Sequence, residues 1–172
     1  MSADRMTAAG RAFLARWEGC RLRPYQDASG LWTVGVGHLL TPVERATGAV
    51  DVAGQPVNWR AGLTAAQAEA LLTQDLSWAE AAVAAAGVAR TPNEFDALTA
   101  YAFNIGAGAY QRYSSVVPRL RAGEREGAMT SWRAWCRVTD PRSGRKVVCE
   151  GLRRRREAEI ALFLRGDYSG GP

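Results

Sequence analysis

The sequence predicts an α+β fold, mainly α, in which a small antiparallel β-sheet lobe is joined by a long helix to a helical lobe. Three observations predict it. Apolar residues recur at three- and four-residue spacing over most of the chain, a Gly-punctuated stretch between Pro24 and Leu40 alternates instead, and an Ala- and Leu-rich run links these regions. With 172 residues the chain can bury one sizeable core, so a single domain spanning residues 1–172 is expected.

Residues 8 to 18 read as the first helix, because Phe13, Leu14 and Trp17 share one face, and Glu18 falls at its C-terminal end. The β lobe follows over about residues 20–62. Within it Trp32, Val34 and Val36 alternate between Gly30, Gly35 and Gly37, which predicts a hairpin with Asp27 before its turn and Thr33 on its second strand. Residues 41 to 62 hold Pro42, Gly48, Gly54, Pro56 and Gly62 without a sustained period, so loop is expected there with one more short strand at Val50 to Val52. Thr64-Ala65-Ala66-Gln67 is a capping-box pattern that opens the connecting helix, about 64–86, and Gly87 stops it. Thr91-Pro92-Asn93-Glu94 is a second such pattern with Pro at the first helical position. In the helix it opens, Phe95, Leu98, Ala102 and Ile105 repeat on a buried face, and Gly106 and Gly108 end it. Shorter helices over 114–121 and 124–136 and a last one over 151–165 complete a helical lobe of about 91–165 plus the N-terminal helix.

Composition excludes several classes. No apolar run approaches the length of a membrane span, and the N-terminal residues lack the apolar core of a secretory signal. The net charge of +5 is uneven: residues 1–118 carry nine Arg and ten acids, whereas 119–165 carry thirteen Lys or Arg and six acids. Such a surface favours polyanions, among them nucleic acid and anionic cell wall, without choosing between them. Arg153 to Arg156 do not form a nucleic-acid stripe, because four consecutive helical residues point all around the axis; Arg153 with Glu157 and Arg155 with Glu159 have i,i+4 spacing. Cys20, Cys136 and Cys149 make no disulfide framework, although Cys136 and Cys149 flank a polar loop and a bridge between them stays open. With no cysteine at metal-ligand spacing and His38 the only histidine, a protein-held zinc site is not expected.

Glu18, Asp27 and Thr33 stand in the order E-x8-D-x5-T. Glycoside hydrolysis needs one carboxyl group to protonate the leaving oxygen and a second to attack the sugar or activate water. The negative end of a helix and the neighbouring Trp17 both favour the protonated form of Glu18, which suits a general acid. Asp27, in a polar turn, is expected to stay ionised, and the Thr33 hydroxyl can hold the attacking water against it, since a hydroxyl both donates and accepts.

The surrounding text, EGCRLRPYQDASGLWTVGVGHLLT, closely resembles the phage-type lysozymes, the endolysin group of glycoside hydrolase family 24. LTAAQAEALLTQDL resembles that family's connecting helix, EFDALTAYAFNIGAGAY its central helix and GRKVVCEGLRRRREAEIALFLRGDY its C-terminal helix. The resemblance implies a lysozyme-like two-lobed fold, a cleft for peptidoglycan glycan, and cleavage of the β-1,4 bond between N-acetylmuramic acid and N-acetylglucosamine. It implies Glu18 as proton donor and Asp27 with Thr33 as the water-positioning pair. An inverting family member needs its carboxyl groups about 6.5 to 9.5 Å apart to admit water. The resemblance also places Leu39 and Phe103 on the saccharide cleft, the alternative for both being the core, and Asn104 where it can bond an acetamido group. His38 is matched to an ion pair with Asp75, a structural rather than catalytic role. Two segments depart from the family pattern: Trp135-Cys136 is followed by a longer VTDPRSGRK loop, and residues 41–62 exceed what a minimal β lobe requires.

The expectation is therefore a peptidoglycan muramidase of endolysin type, monomeric, with no metal or organic cofactor and no specific nucleic-acid partner. It would accumulate in the host cytoplasm and reach the periplasm and wall once a separate membrane-permeabilising protein, a holin, opens the way. The competing readings are a lytic transglycosylase, which uses a catalytic Glu and forms an anhydro product, and a non-catalytic wall-binding protein.

Overall fold

The computed structural model describes residues 5–27 and 30–172. Among the described residues it is mainly helical with three small antiparallel sheets, and its backbone falls into two compact units, residues 18–77 and residues 1–17 with 78–172.

The smaller unit begins where α1 (Ala8–Glu18) ends. Three strands, β1 (Arg21–Gln26), β2 (Trp32–Gly35) and β3 (His38–Leu39), form an antiparallel sheet in which β2 is central. Thr33 pairs with Tyr25 of β1 and Leu39 of β3, so the three share a face, while Trp32 and Val34 point to the other. Val34 enters a core made with Leu40, Val50, Val52, Trp59, Leu63, Ala68 and Leu71, the last two from α3 (Ala65–Asp75). Both halves of the Thr64/Gln67 capping box form at the start of α3.

Residues 41–62 are not the expected loop. They contain α2 (Pro42–Thr47), the hairpin β4 (Ala49–Val52) and β5 (Gln55–Asn58), and a 3-10 turn at Trp59–Ala61. The sequence carried the signal: Thr41 and Glu44 form a reciprocal capping box with Pro42 in the first turn. Gly48, at φ 78°, ends α2 in the left-handed conformation that favours glycine. The connecting helix is not continuous either. It breaks at Leu76 between α3 and α4 (Ser77–Ala86), where Asp75 and Ser77 are weak helix formers and the Asp75 carboxylate is turned to His38.

The larger unit is built on α5 (Pro92–Ile105), in which every residue from Glu94 to Ala102 is buried. A helix buried all round belongs at the centre of a helical core. Thr91 caps α5 through the Glu94 N–H, but the Glu94 side chain accepts from the Arg90 N–H and from Arg125 instead of closing the box on Thr91. Of the helices that follow, α9 (Glu150–Arg165) makes the largest contact with α5; α8 (Arg125–Arg133) packs on α9 and brings the Trp132 ring centroid to 4.7 Å from that of Tyr101 on α5, and α7 (Val116–Arg121) packs on α8. A short helix, α6 (Ala107–Arg112), follows α5 where Gly106 and Gly108 were expected only to end it, and buries Tyr110. The VTDPRSGRK segment is a hairpin, β6 (Arg137–Thr139) with β7 (Lys146–Val148), closed by Asp140, which accepts from Arg142 N and Ser143 Oγ. The Cys149 N–H donates to the Cys136 carbonyl at its base, and all three cysteines are free thiols.

In this unit the N-terminal helix is tied down by two buried acids. Glu80 accepts from Met6 N at 2.9 Å, and Asp96 accepts from Thr7 N at 2.8 Å, from the Thr7 hydroxyl and from Tyr168 OH at 2.7 Å. The Arg-rich turn of α9 is sorted by burial. Arg155 and Arg156 go inside, where Glu159 accepts from Arg155 at 3.0 Å and from Trp132 Nε1 at 2.9 Å and lies 3.1 Å from Arg156. Arg155 with Glu159 therefore has its i,i+4 partner, whereas Arg153 pairs with Glu150 and Glu157 with Arg133. No helix is long and apolar enough to cross a membrane, and no group of three or more His, Cys, Asp or Glu could hold a metal ion among the described residues.

Candidate active site

Glu18, Asp27, Thr33 and Leu39 all belong to the smaller unit. Glu18 is the last residue of α1, half-buried, and Gly19 at φ 74° turns the chain sharply into β1. Its carboxylate lies against the turn between β2 and β3, since a Cβ added to Gly37 would sit 3.7 Å from Glu18 Oε2. Gly37 has φ 74°, a backbone conformation that favours glycine there.

Asp27 and Thr33 are organised by one residue between them. Leu31 N–H donates to Asp27 Oδ1 at 2.9 Å, and the Leu31 carbonyl accepts from Thr33 Oγ1 at 3.3 Å and from Asp27 N at 2.9 Å. Both side chains are thus referenced to the backbone of a single residue in the β1–β2 connection. Thr33 is only 4% exposed, fixed on the central strand, whereas its cross-strand neighbour Leu39 is 49% exposed. An apolar side chain standing that far out of a sheet, on the face of Thr33, is a surface contact and not part of the core. Ala28 and Ser29, inside the E-x8-D-x5-T segment, lie outside the described residues.

Phe103 and Asn104 belong to the larger unit, at the C-terminal end of α5. Phe103 is half-buried and stacks on Trp78 with ring centroids 6.5 Å apart and planes 20° from parallel. Asn104 Oδ1 accepts from the Arg156 guanidinium. Because guanidinium can only donate, the oxygen of the Asn104 amide must face Arg156, and its NH2 group is left to donate elsewhere.

His38 lies between two carboxylates: Nδ1 is 2.9 Å from Asp75 Oδ2 and Nε2 is 3.3 Å from Glu44 Oε1. Burial pulls the His38 pKa down, but the hydrogen bond and charge of Asp75, followed by those of Glu44, outweigh it and the net shift is upward. Burial pushes Glu44 up, and bonds from Thr41 N–H and hydroxyl together with His38 turn the net shift downward. The residues missed from sequence are therefore Glu44, Arg156 and Trp78. Glu44 was legible as the end of a capping box; Arg156 and Trp78 act across long sequence separations that no local pattern carries.

The family described as phage lysozyme matches residues 15–159. The endolysin of Salmonella phage P22 is 34% identical over 163 residues, covering 92% of this chain and 97% of its own. Among solved structures, the endolysin from Escherichia coli O157:H7 phage FAHEc1 superposes with a TM-score of 0.73 at 30% identity, covering 97% of this chain and 98% of its own. The muramidase domain of SpmX from Asticaccaulis excentricus gives the same TM-score and identity over 93% and 97%. With the family matching most of its length and these folds matching nearly all of it, this chain belongs to the phage lysozyme family.

Proposed function

We propose that the protein is an endolysin-type muramidase that hydrolyses the β-1,4 bond between N-acetylmuramic acid and N-acetylglucosamine in bacterial peptidoglycan. Glu18 protonates the leaving oxygen, and Asp27 with Thr33 positions and activates the attacking water. The observation that carries this reading is the Asp27–Leu31–Thr33 linkage, which holds a carboxylate and a hydroxyl to the backbone of one residue. Such fixed placement is what orienting a water requires. That relatives and neighbours bear the names endolysin and muramidase supports the same substrate.

Leu39 offers an apolar contact to a sugar ring, as does Phe103 stacked on Trp78. Asn104, its oxygen held by Arg156, presents its NH2 group to an acetamido carbonyl. No metal or organic cofactor enters the scheme. The chain acts as a single lysozyme-like domain and a monomer, held in the host cytoplasm until a separate holin-type partner exposes the periplasm and wall.

Clearing of purified peptidoglycan by the wild type beside Glu18→Gln and Thr33→Ala tests the assignment. Glu18→Gln is expected to lose on the order of 10²–10⁴ in rate, the worth of a positioned proton donor. Most of the activity surviving in that variant would remove Glu18 from the mechanism. Sedimentation of the wild type with walls it leaves intact would favour a binding protein instead.

A further inference from the structure

A second aromatic surface stands on the smaller unit. Strand alternation turns Trp32 away from the face that carries Thr33, and there it meets Trp59 with ring centroids 6.0 Å apart. Trp59 is buried, its Nε1 donating to the Glu44 carbonyl at 2.7 Å, whereas Trp32 remains 38% exposed. Together with Pro42, Arg45, Ala46 and Arg60 the two indoles line a shallow pocket of about 570 Å³. The Arg60 guanidinium lies 4.7 Å from the Trp59 ring centroid and donates to the Arg45 carbonyl at 2.8 Å, so it is pinned as one wall. Arg45, exposed in the last turn of α2, makes no side-chain hydrogen bond or ion pair among the described residues.

We propose that this pocket is a second binding site for a carboxylate-bearing glycan: peptidoglycan with its stem peptides. The apolar face of a pyranose ring packs on the open flank of Trp32, and a stem-peptide carboxylate pairs with Arg45 beside the Arg60 wall. Three features favour this occupant. The pocket is concave and aromatic, with the few polar groups that orient a ligand. Its cations are guanidinium groups, whose planar donor fork matches a carboxylate. A second contact with the polymer that is being cut also raises the effective concentration of the enzyme on an insoluble wall without adding to the chemistry. The ligand's identity rests on the peptidoglycan reading above.

The test uses Arg45→Glu, a change at a side chain without internal partners, and Trp32→Tyr, which keeps an aromatic ring against Trp59. Each is made in the wild type and in the Glu18→Gln protein, with melting curves to confirm folding. In the Glu18→Gln background, Arg45→Glu is expected to weaken co-sedimentation with purified sacculi about three- to ten-fold, the worth of one charge-assisted contact. Arg45→Lys should recover part of the loss. Titration with a soluble disaccharide-peptide should show the same loss, whereas a carboxyl-amidated muropeptide and a neutral chitooligosaccharide should bind the two proteins alike. In the wild type, Arg45→Glu should slow clearing of sacculi while leaving hydrolysis of short soluble glycan unchanged. Unchanged binding by Arg45→Glu, an equal slowing of hydrolysis on short soluble glycan and on sacculi, or displacement by single-stranded oligonucleotide and not by muropeptide would overturn the proposal. The titrations need no turnover, so they report on the pocket even if Glu18→Gln proves active.

Discussion

Leu31 shows how much a residue without functional atoms of its own can decide. Its backbone holds Asp27 through the N–H and Thr33 through the carbonyl, which makes the geometry of the pair a backbone property. The E-x8-D-x5-T spacing was legible in the sequence because all three residues are close along the chain. The Leu31 link was not, since a backbone bond carries no residue-type signature. His38 makes the residue scale testable by pH. Its folded pKa is raised, so the stability it contributes is fully present below its ordinary value of 6.5 and is lost as pH rises through the folded value. Glu44 has a lowered folded pKa, so its contribution is present above 4.5 and is lost as pH falls through the folded value. The His38–Glu44 contact is therefore strongest between those two limits. Melting temperatures recorded across this range and above it should decline on the alkaline side in the wild type, and His38→Asn should flatten that decline. An identical alkaline limb in both proteins would remove His38 as its source.

At the level of elements, two contacts in the larger unit carry distinct predictions. Gly10 on α1 faces Asp96 so closely that an added Cβ would lie 2.5 Å from its carboxyl carbon. Gly10→Ala should displace Asp96 from Thr7 and Tyr168, at a cost of about 1–3 kcal/mol read from denaturant unfolding. Glu159 serves Trp132, Arg155 and Arg156 together, all within the core. Glu159→Gln should cost about 3–5 kcal/mol, because it leaves buried guanidinium charge short of its counter-ion. A loss below about 1 kcal/mol in the same measurement would mean that the network relaxes around the change. The helices that announced themselves had strong caps or a clear apolar face, as α1 and α5 did. Those that were missed, α2 and α6, are short and carry no apolar face, α2 burying none of its residues and α6 Tyr110 alone, and the β6–β7 hairpin is exposed on both faces and so lacks the alternation that marks a half-buried strand. The break at Leu76 was hidden because its neighbours keep the helical apolar spacing, while the helix-weakening Asp75 and Ser77 are small local terms against that pattern.

Over the whole molecule, the fold class was legible because the segments that resemble phage lysozymes run in order along most of the chain, and the family match and the superpositions agree with them. Composition contributed less: a basic C-terminal third narrows partners to polyanions, yet much of that charge is committed inside the protein or to surface pairs. Arg155 and Arg156 are buried, while Arg119, Arg133 and Arg153 each pair with a glutamate. The sequence could count these charges but could not sort them, since burial depends on contacts across the chain. What the charge leaves exposed is available to an anionic wall, whereas the proposed reaction rests on Glu18, Asp27 and Thr33.

The central claim is that water is added across the glycosidic bond, and the mass of the released muropeptides tests it most directly. Peptidoglycan digested by the wild type should give products that end in reducing N-acetylmuramic acid and incorporate one heavy oxygen when the digestion is run in ¹⁸O-water. Products one water lighter, ending in the anhydro sugar and without label, would contradict hydrolysis and assign transglycosylase chemistry instead.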